Sequence, residues 1–174
     1  MRARIRAAAR ESGLTAALAA PPSSAGHRRP VIGIHVRHGD ACVKSEAART
    51  VRTCEPLSVY MEAVRPYAEA VGARTIFLAT DSEVVIADGA RLYPQFTFIT
   101  SPNVSRTGVH NAAPTEILDE LIKRRMRTGV GVAQTEDHAL SGVVDAMLLA
   151  RTDVLVGKFS SGLFHAAYAL ASAR

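Results

Sequence analysis

The sequence predicts an α/β fold, a Rossmann-like layer with a parallel sheet of about four strands and helices on both faces. Three observations predict it. Short apolar runs rich in β-branched residues recur at 31–36 (VIGIHV), 74–80 (RTIFLAT) and 153–156 (DVLV). A strand buried in a parallel sheet reads as such a run, without polar alternation. Longer segments of helical spacing separate the runs, and strand–helix–strand order requires right-handed crossovers and a parallel sheet. Polar clusters follow the runs directly: His35-Val36-Arg37-His38-Gly39-Asp40, Thr80-Asp81-Ser82 and Lys158-Phe159-Ser160-Ser161-Gly162. Open α/β sheets bind ligands just beyond the carboxyl ends of their strands.

Residues 2 to 19 read as one helix of good helix formers with Ile5, Ala8, Ala9 and Leu14 near helical spacing. Pro21-Pro22-Ser23-Ser24-Ala25-Gly26 is a linker by composition. Residues 1–29 therefore form a helix and linker, and 30–174 the Rossmann-like domain. Strand one covers 31–36, and the loop from 37 to 54 is long for a βα connection, a feature of functional or disordered loops. Pro56 opens a helix that Gly72 ends, with Pro66 as a candidate kink. Strand two is 74–80. Asp81 or Ser82 caps the next helix, which stops before Pro94. Gln95 to Thr100 is a short third strand, and 101–113 a polar loop. A helix from Thr115 to about 127 ends at Gly129-Val130-Gly131. Another runs from Glu136 to Ala150. Asp153 to Val156 is strand four, and the last helix, Phe159 to Ala171, is entered through Ser160-Ser161-Gly162.

At 174 residues, 48% hydrophobic and 21% charged, the composition is that of an ordinary globular domain. The net charge of +5 suits an anionic partner. Much of the excess lies in the first 30 residues and in Lys123-Arg124-Arg125-Met126-Arg127, which read as solvated helix ends. No aromatic-interleaved basic surface appears, which argues against nucleic acid. The two cysteines, Cys42 and Cys54, allow either a disulfide-closed loop or two free thiols. Without clustered histidines they make no zinc site. No apolar run of about 20 residues is present to span a membrane. MRARIRAAAR weakly resembles an organelle transit peptide, although an amphipathic helix explains it better. Asn103-Val104-Ser105 fits a glycosylation sequon.

Among the polar clusters, Arg37 offers a planar five-donor fork suited to phosphate oxygens. Gly39 permits a tight turn or close backbone approach. The Ser160-Ser161-Gly162 turn presents helix N–H groups and a dipole that favour an anion. Together they describe a diphosphate clamp. Neither G-x-x-x-x-G-K-[ST] nor G-x-G-x-x-G occurs, so ATPase and ordinary dinucleotide readings lack their motif. Structural readings stand beside these. His35 reads as a core histidine, Asp81 as a helix N-cap, and Ser160 as a cap. Asp145, on a mostly apolar helix, is harder to treat as structural, because a buried acid is costly. His38, His110, His138 and His165 read as structural or surface residues.

The segments VIGIHVRHGD, IFLATDS and DAMLLARTDVLVGKFSSGLFHAAYAL, in this order, resemble the nucleotide-binding half of the GDP-fucose-dependent α1,6-fucosyltransferases and the wider protein O-fucosyltransferase-like superfamily. The last segment is the most specific, because Asp145, Asp153 and Phe159-Ser160-Ser161 hold the family spacing without a gap. The resemblance covers roughly residues 30 to 174. It implies one half of a GT-B glycosyltransferase fold and an inverting, metal-independent transfer of fucose from GDP-fucose to a glycan or glycoprotein acceptor. The donor is a substrate, and no cofactor or metal is implied. Arg37 is implied to grip the β-phosphate, His35 and Asp145 the guanine, Ser160 and Ser161 the phosphates, and Asp81 the edge of the acceptor cleft. The family's candidate base is a glutamate after the first motif, and Glu46 is the nearest. Gly162 stands where a glutamine often follows the two serines, leaving only its N–H. An acceptor-side half is missing from the resemblance. The family works in the Golgi and secretory pathway.

Two other readings compete. Arg37-His38-Gly39 also matches the R-H-G core of histidine phosphatases, with His138 as the only candidate second histidine. A non-catalytic GDP-sugar-binding fragment is the third.

Overall fold

All six residues of the strand Val31–Val36 are buried, the property expected of a central parallel strand. The structure, a computed structural model of the chain, describes residues 1–21, 27–38, 55–102 and 132–174. Among them the elements run α1 (Arg2–Glu11), α2 (Leu14–Leu18), β1 (Val31–Val36), α3 (Leu57–Val71), β2 (Thr75–Thr80), α4 (Glu83–Leu92), β3 (Thr97–Ile99), α5 (Val132–Leu149), β4 (Val154–Val156) and α6 (Gly162–Ser172). The strands make one parallel sheet in the order β3-β2-β1-β4. The α/β fold expected from the sequence is the fold observed.

Successive strand residues face opposite sides of a sheet, so β1 and β2 serve two cores. Ile32, Ile34, Val36, Ile76 and Leu78 face α3 and α4, meeting Leu57, Tyr60, Met61, Val64 and Val85. Val31, Phe77 and Ala79 face α1, α5 and α6, meeting Ile5, Ala9, Val144, Leu148, Leu149 and Ala167. Each fully buried Ile or Leu contributes about 1.5–3 kcal/mol. Gly33 pairs with Phe77 in the register, a missing side chain beside a large one. A Cβ on Gly33 would lie 3.1 Å from Leu149 Cδ2 and 3.1 Å from Thr152 Cγ2, and closer still to Thr152 Oγ1. The glycine is what lets the end of α5 press against β1.

At its amino end β1 is fixed by one carboxylate. Asp153 Oδ2 accepts the Val31 N–H at 2.7 Å and Arg28 Nη1 at 2.9 Å, and its Oδ1 accepts Arg28 Nη2. Desolvation works to raise the Asp153 pKa, but the Arg28 and Val31 hydrogen bonds and the Arg28 charge hold it below the usual carboxylate range.

Some boundaries differ from expectation. The first helix is broken into α1 and α2, because Gly13 adopts φ 80°. Ser12 strengthens the break by donating to the Ala9 carbonyl and accepting the Leu14 N–H, both at 3.3 Å. Gly72, at φ 68°, ends α3 as expected, and the helix runs through Pro66. The last helix starts at Gly162 and not Phe159, since the Ser161 N–H turns back to the Lys158 carbonyl at 3.0 Å. Cys42, Cys54, the sequon at Asn103 and the helix expected near 115–127 lie outside the described residues.

Gly33→Ala is expected to destabilise the chain by about 1–3 kcal/mol through overpacking. Gly162→Ala, at a position with open space around it, is expected to be neutral or to stabilise by up to about 1 kcal/mol. Urea unfolding midpoints check both, and a Gly33→Ala midpoint equal to the parent's would contradict the close approach of α5.

Candidate functional site

Strand order reverses between β1 and β4. β2 and β3 are laid to one side of β1, and the chain then crosses back to place β4 on the other. Such a reversal opens a crevice at the carboxyl ends of the two strands, the preferred ligand position in open α/β sheets. His35 reaches it from β1 and Ser161 from the turn after β4, and the two side chains meet there.

His35 is 4% exposed. Its Nδ1 lies 3.2 Å from the Ala79 carbonyl, which can only accept, so this nitrogen carries the hydrogen. Nε2 lies 2.9 Å from Ser161 Oγ and accepts the hydroxyl hydrogen. Burial pushes the imidazole pKa down to about 4, against smaller opposing effects of the Ala79 bond and Asp81. The ring is neutral at physiological pH and both nitrogens are engaged within the chain.

Ser161 is the N-cap residue of α6, but its side chain makes no capping bond. With the hydroxyl turned to His35, the first N–H groups of α6 have neither an intrahelical acceptor nor a side-chain cap, the arrangement that accepts anions. Ser160 and Gly162 are exposed on the same turn. Asp145 is buried on α5, one turn before Leu149 and so about 6 Å nearer the carboxyl edge.

A second set of contacts arcs over the strand ends. Arg37 Nη1 donates to Asp81 Oδ2 at 2.8 Å, and the His38 N–H donates to Asp81 Oδ1 at 2.9 Å. His38 Nε2 donates to the Glu55 carbonyl at 2.9 Å, and Lys158 Nζ donates to Glu55 Oε1 at 3.0 Å. Ser82, whose Oγ accepts the Val85 N–H, caps α4, which leaves Asp81 for Arg37. His38, the nucleophile of the phosphatase reading, has Nε2 committed to a carbonyl, and the side chain of His138 lies outside the described residues.

The structure thus brings His35, Arg37, Asp81, Ser160, Ser161 and Gly162 to one edge and buries Asp145 beneath it. Gly39 and Glu46 lie outside the described residues. Asp153, which shares the last motif, is at the opposite edge, where it binds β1. Lys158 and Glu55 were given no role by sequence reasoning. A pair 103 residues apart leaves no local signal.

The family model for alpha-(1,6)-fucosyltransferase N- and catalytic domains matches residues 10–118. Among curated relatives, the alpha-(1,6)-fucosyltransferase of Drosophila melanogaster is 34% identical over 150 residues. The chain belongs to the alpha-(1,6)-fucosyltransferase family. That alignment takes in 82% of this chain and 20% of the fly protein, so this family member spans about a fifth of its relative's length. Among the described residues of the fucosyltransferase-family chain, no helix is long and apolar enough to cross a membrane.

His35 gives the fold an acid limit. Above its unfolded pKa of about 6.5 the ring is neutral in both states and costs nothing. As pH falls below that value the unfolded chain takes up a proton that the folded chain refuses until about pH 4. About 3 kcal/mol of stability is therefore expected to be lost between pH 6.5 and 4. Denaturant unfolding across this range checks it, and His35→Gln should flatten that part of the profile.

Proposed function

We propose that this domain binds GDP-fucose in the β1–β4 crevice and forms the donor side of an inverting, metal-independent fucosyltransferase. The observation that supports the reading most directly is that one sheet edge carries both Arg37, paired with Asp81 past the end of β2, and, where strand order reverses, the His35–Ser161 pair at the uncapped start of α6.

In such a transfer the acceptor hydroxyl attacks C1 of fucose on the face opposite the diphosphate. The new C–O bond forms as the bond from C1 to the β-phosphate oxygen breaks. The hydroxyl proton passes to a base, and GDP leaves with the bonding electrons. Negative charge grows on the diphosphate along this path, so donors already aimed there lower the barrier. Arg37 supplies a guanidinium held in place by Asp81. The Ser160-Ser161-Gly162 turn supplies main-chain N–H groups and the Ser160 hydroxyl, with the Ser161 hydroxyl added where the ligand draws it from His35, and Gly39 is assigned to the same donor site. Asp145 is assigned to the guanine N–H groups, and His35 to the guanine only where the ligand replaces Ser161 at Nε2. Glu46 is the proposed base.

The proposed unit is residues 30–174. The acceptor, a glycan on a glycoprotein in the Golgi or secretory pathway, would be held mainly by the part of the family enzyme that this chain does not match.

Calorimetric titration of the purified chain with GDP and GDP-fucose, in the presence of a chelator, tests the reading. GDP is expected to bind without metal. Arg37→Ala should weaken it by at least about 30-fold, as loss of a charge-assisted phosphate contact does. Arg37→Lys should recover only part, because an ammonium cannot reproduce the fork. A folded chain that ignores GDP, or an Arg37→Ala variant that binds it as the parent does, would overturn the proposal.

A further inference from the structure

We propose that Lys158 is a second cation for the nucleotide's diphosphate, held by Glu55 until the ligand arrives. This rests on the donor-site reading above and goes beyond it.

Position is the first argument. Lys158 lies two residues past Val156, the β4 residue that pairs with Ile34 of β1. Its carbonyl accepts the Ser161 N–H at 3.0 Å, so Lys158 and Ser161 are the two ends of one tight turn. Ser161 is the residue that meets His35 in the crevice. The Lys158 side chain therefore starts on the β4 wall, as Arg37 starts on the β1 wall.

The second argument is how each cation is held. Arg37, itself 33% exposed, bonds to Asp81, whose side chain is only 11% exposed and whose other oxygen is fixed by the His38 N–H, so the difference lies in the acid and not in the cation. Lys158 bonds to Glu55 at 3.0 Å, and both side chains are 31% exposed. An ion pair partly open to water on both sides is more readily exchanged than one whose acid is buried and doubly bonded. A lysine is a point charge on a flexible four-carbon stem, whereas arginine is a rigid fork. A diphosphate presents more charge than one carboxylate, so it takes the ammonium from Glu55 and leaves Arg37 on its support. Arg37 is the preset contact and Lys158 the one that moves.

A purely structural role is the rival explanation, since the pair also ties the β4–α6 turn to the start of α3. The two roles predict opposite effects for variants that break the same pair. Titrations would use GDP and GMP with the parent, Lys158→Met, Lys158→Arg and Glu55→Gln, their folding checked by unfolding midpoints. If Lys158 binds the diphosphate, Lys158→Met weakens GDP roughly tenfold and weakens GMP much less. Lys158→Arg then retains most of the affinity, and Glu55→Gln, which removes the competing carboxylate, tightens GDP. Equal weakening by Lys158→Met and Glu55→Gln would identify a strap and overturn the inference. Parental GDP affinity in Lys158→Met would overturn it while leaving the donor site standing. No GDP binding by the parent would remove both.

Discussion

The close approach of α5 to β1 depends on the absence of a side chain at Gly33. Leu149 and Thr152 occupy the space that a Cβ would need, while Phe77 in the neighbouring strand fills the same layer. Thr152 is fixed there by donating to the Leu149 carbonyl at 2.7 Å. The chain can then enter β4 directly, pairing Val154 with Ile32 and Val156 with Ile34. That register fixes the height of the turn after β4. At this height Ser161 meets His35. One missing side chain thus positions a helix, an edge strand and a crevice wall in succession.

The two edges of the sheet handle charge differently. At the amino edge, Asp153 takes the Val31 N–H and the Arg28 guanidinium together, so a single carboxylate joins the start of β4 to the start of β1. At the carboxyl edge the described residues include the pairs Arg37–Asp81 and Lys158–Glu55, linked through His38. The core beneath them is mostly apolar, with Asp145 and a neutral His35 imidazole buried in it. Positive charge is thereby kept at the rim, where water screens the repulsion between cations. A protonated His35 beneath that rim would add a third positive charge with no solvent around it, and burial prevents this near neutral pH.

Much of this was legible in the sequence because parallel strands and their ends have strong local signatures. Val31-Ile32-Gly33-Ile34 and Ile76-Phe77-Leu78-Ala79 read as buried strands, and their polar sequels placed Arg37, Asp81 and Ser161 at one edge. Gly72 and Ser82 could be read as helix stop and start, because their backbone roles depend on neighbours only a few residues away. Gly13 escaped notice inside an alanine-rich stretch whose average helix propensity concealed one left-handed residue. The choice between Asp81 and Ser82 as cap was settled by Arg37, 44 residues away, drawing Asp81 off. Glu55–Lys158 and Arg28–Asp153 are products of the crossover connection, and sequence spacing carries no trace of them.

The neutral His35 also decides what the serine turn can offer. Because Nδ1–H is spent on Ala79, Nε2 has only a lone pair for Ser161, and the serine hydrogen points inward. The hydroxyl then turns lone pairs, not a donor, toward the crevice. An anion at the start of α6 must be met by main-chain N–H groups, by the Ser160 hydroxyl or by a cation, unless it pulls Ser161 away from His35. Recognition through main chain is insensitive to the side chain at position 162, which is consistent with a glycine there in open space. It also leaves charge neutralisation to side chains outside the helix. In the donor site proposed above, Arg37 is assigned that task. On the β4 wall the turn itself contains one cationic side chain, Lys158, and its open pairing with Glu55 leaves that charge within reach of a ligand.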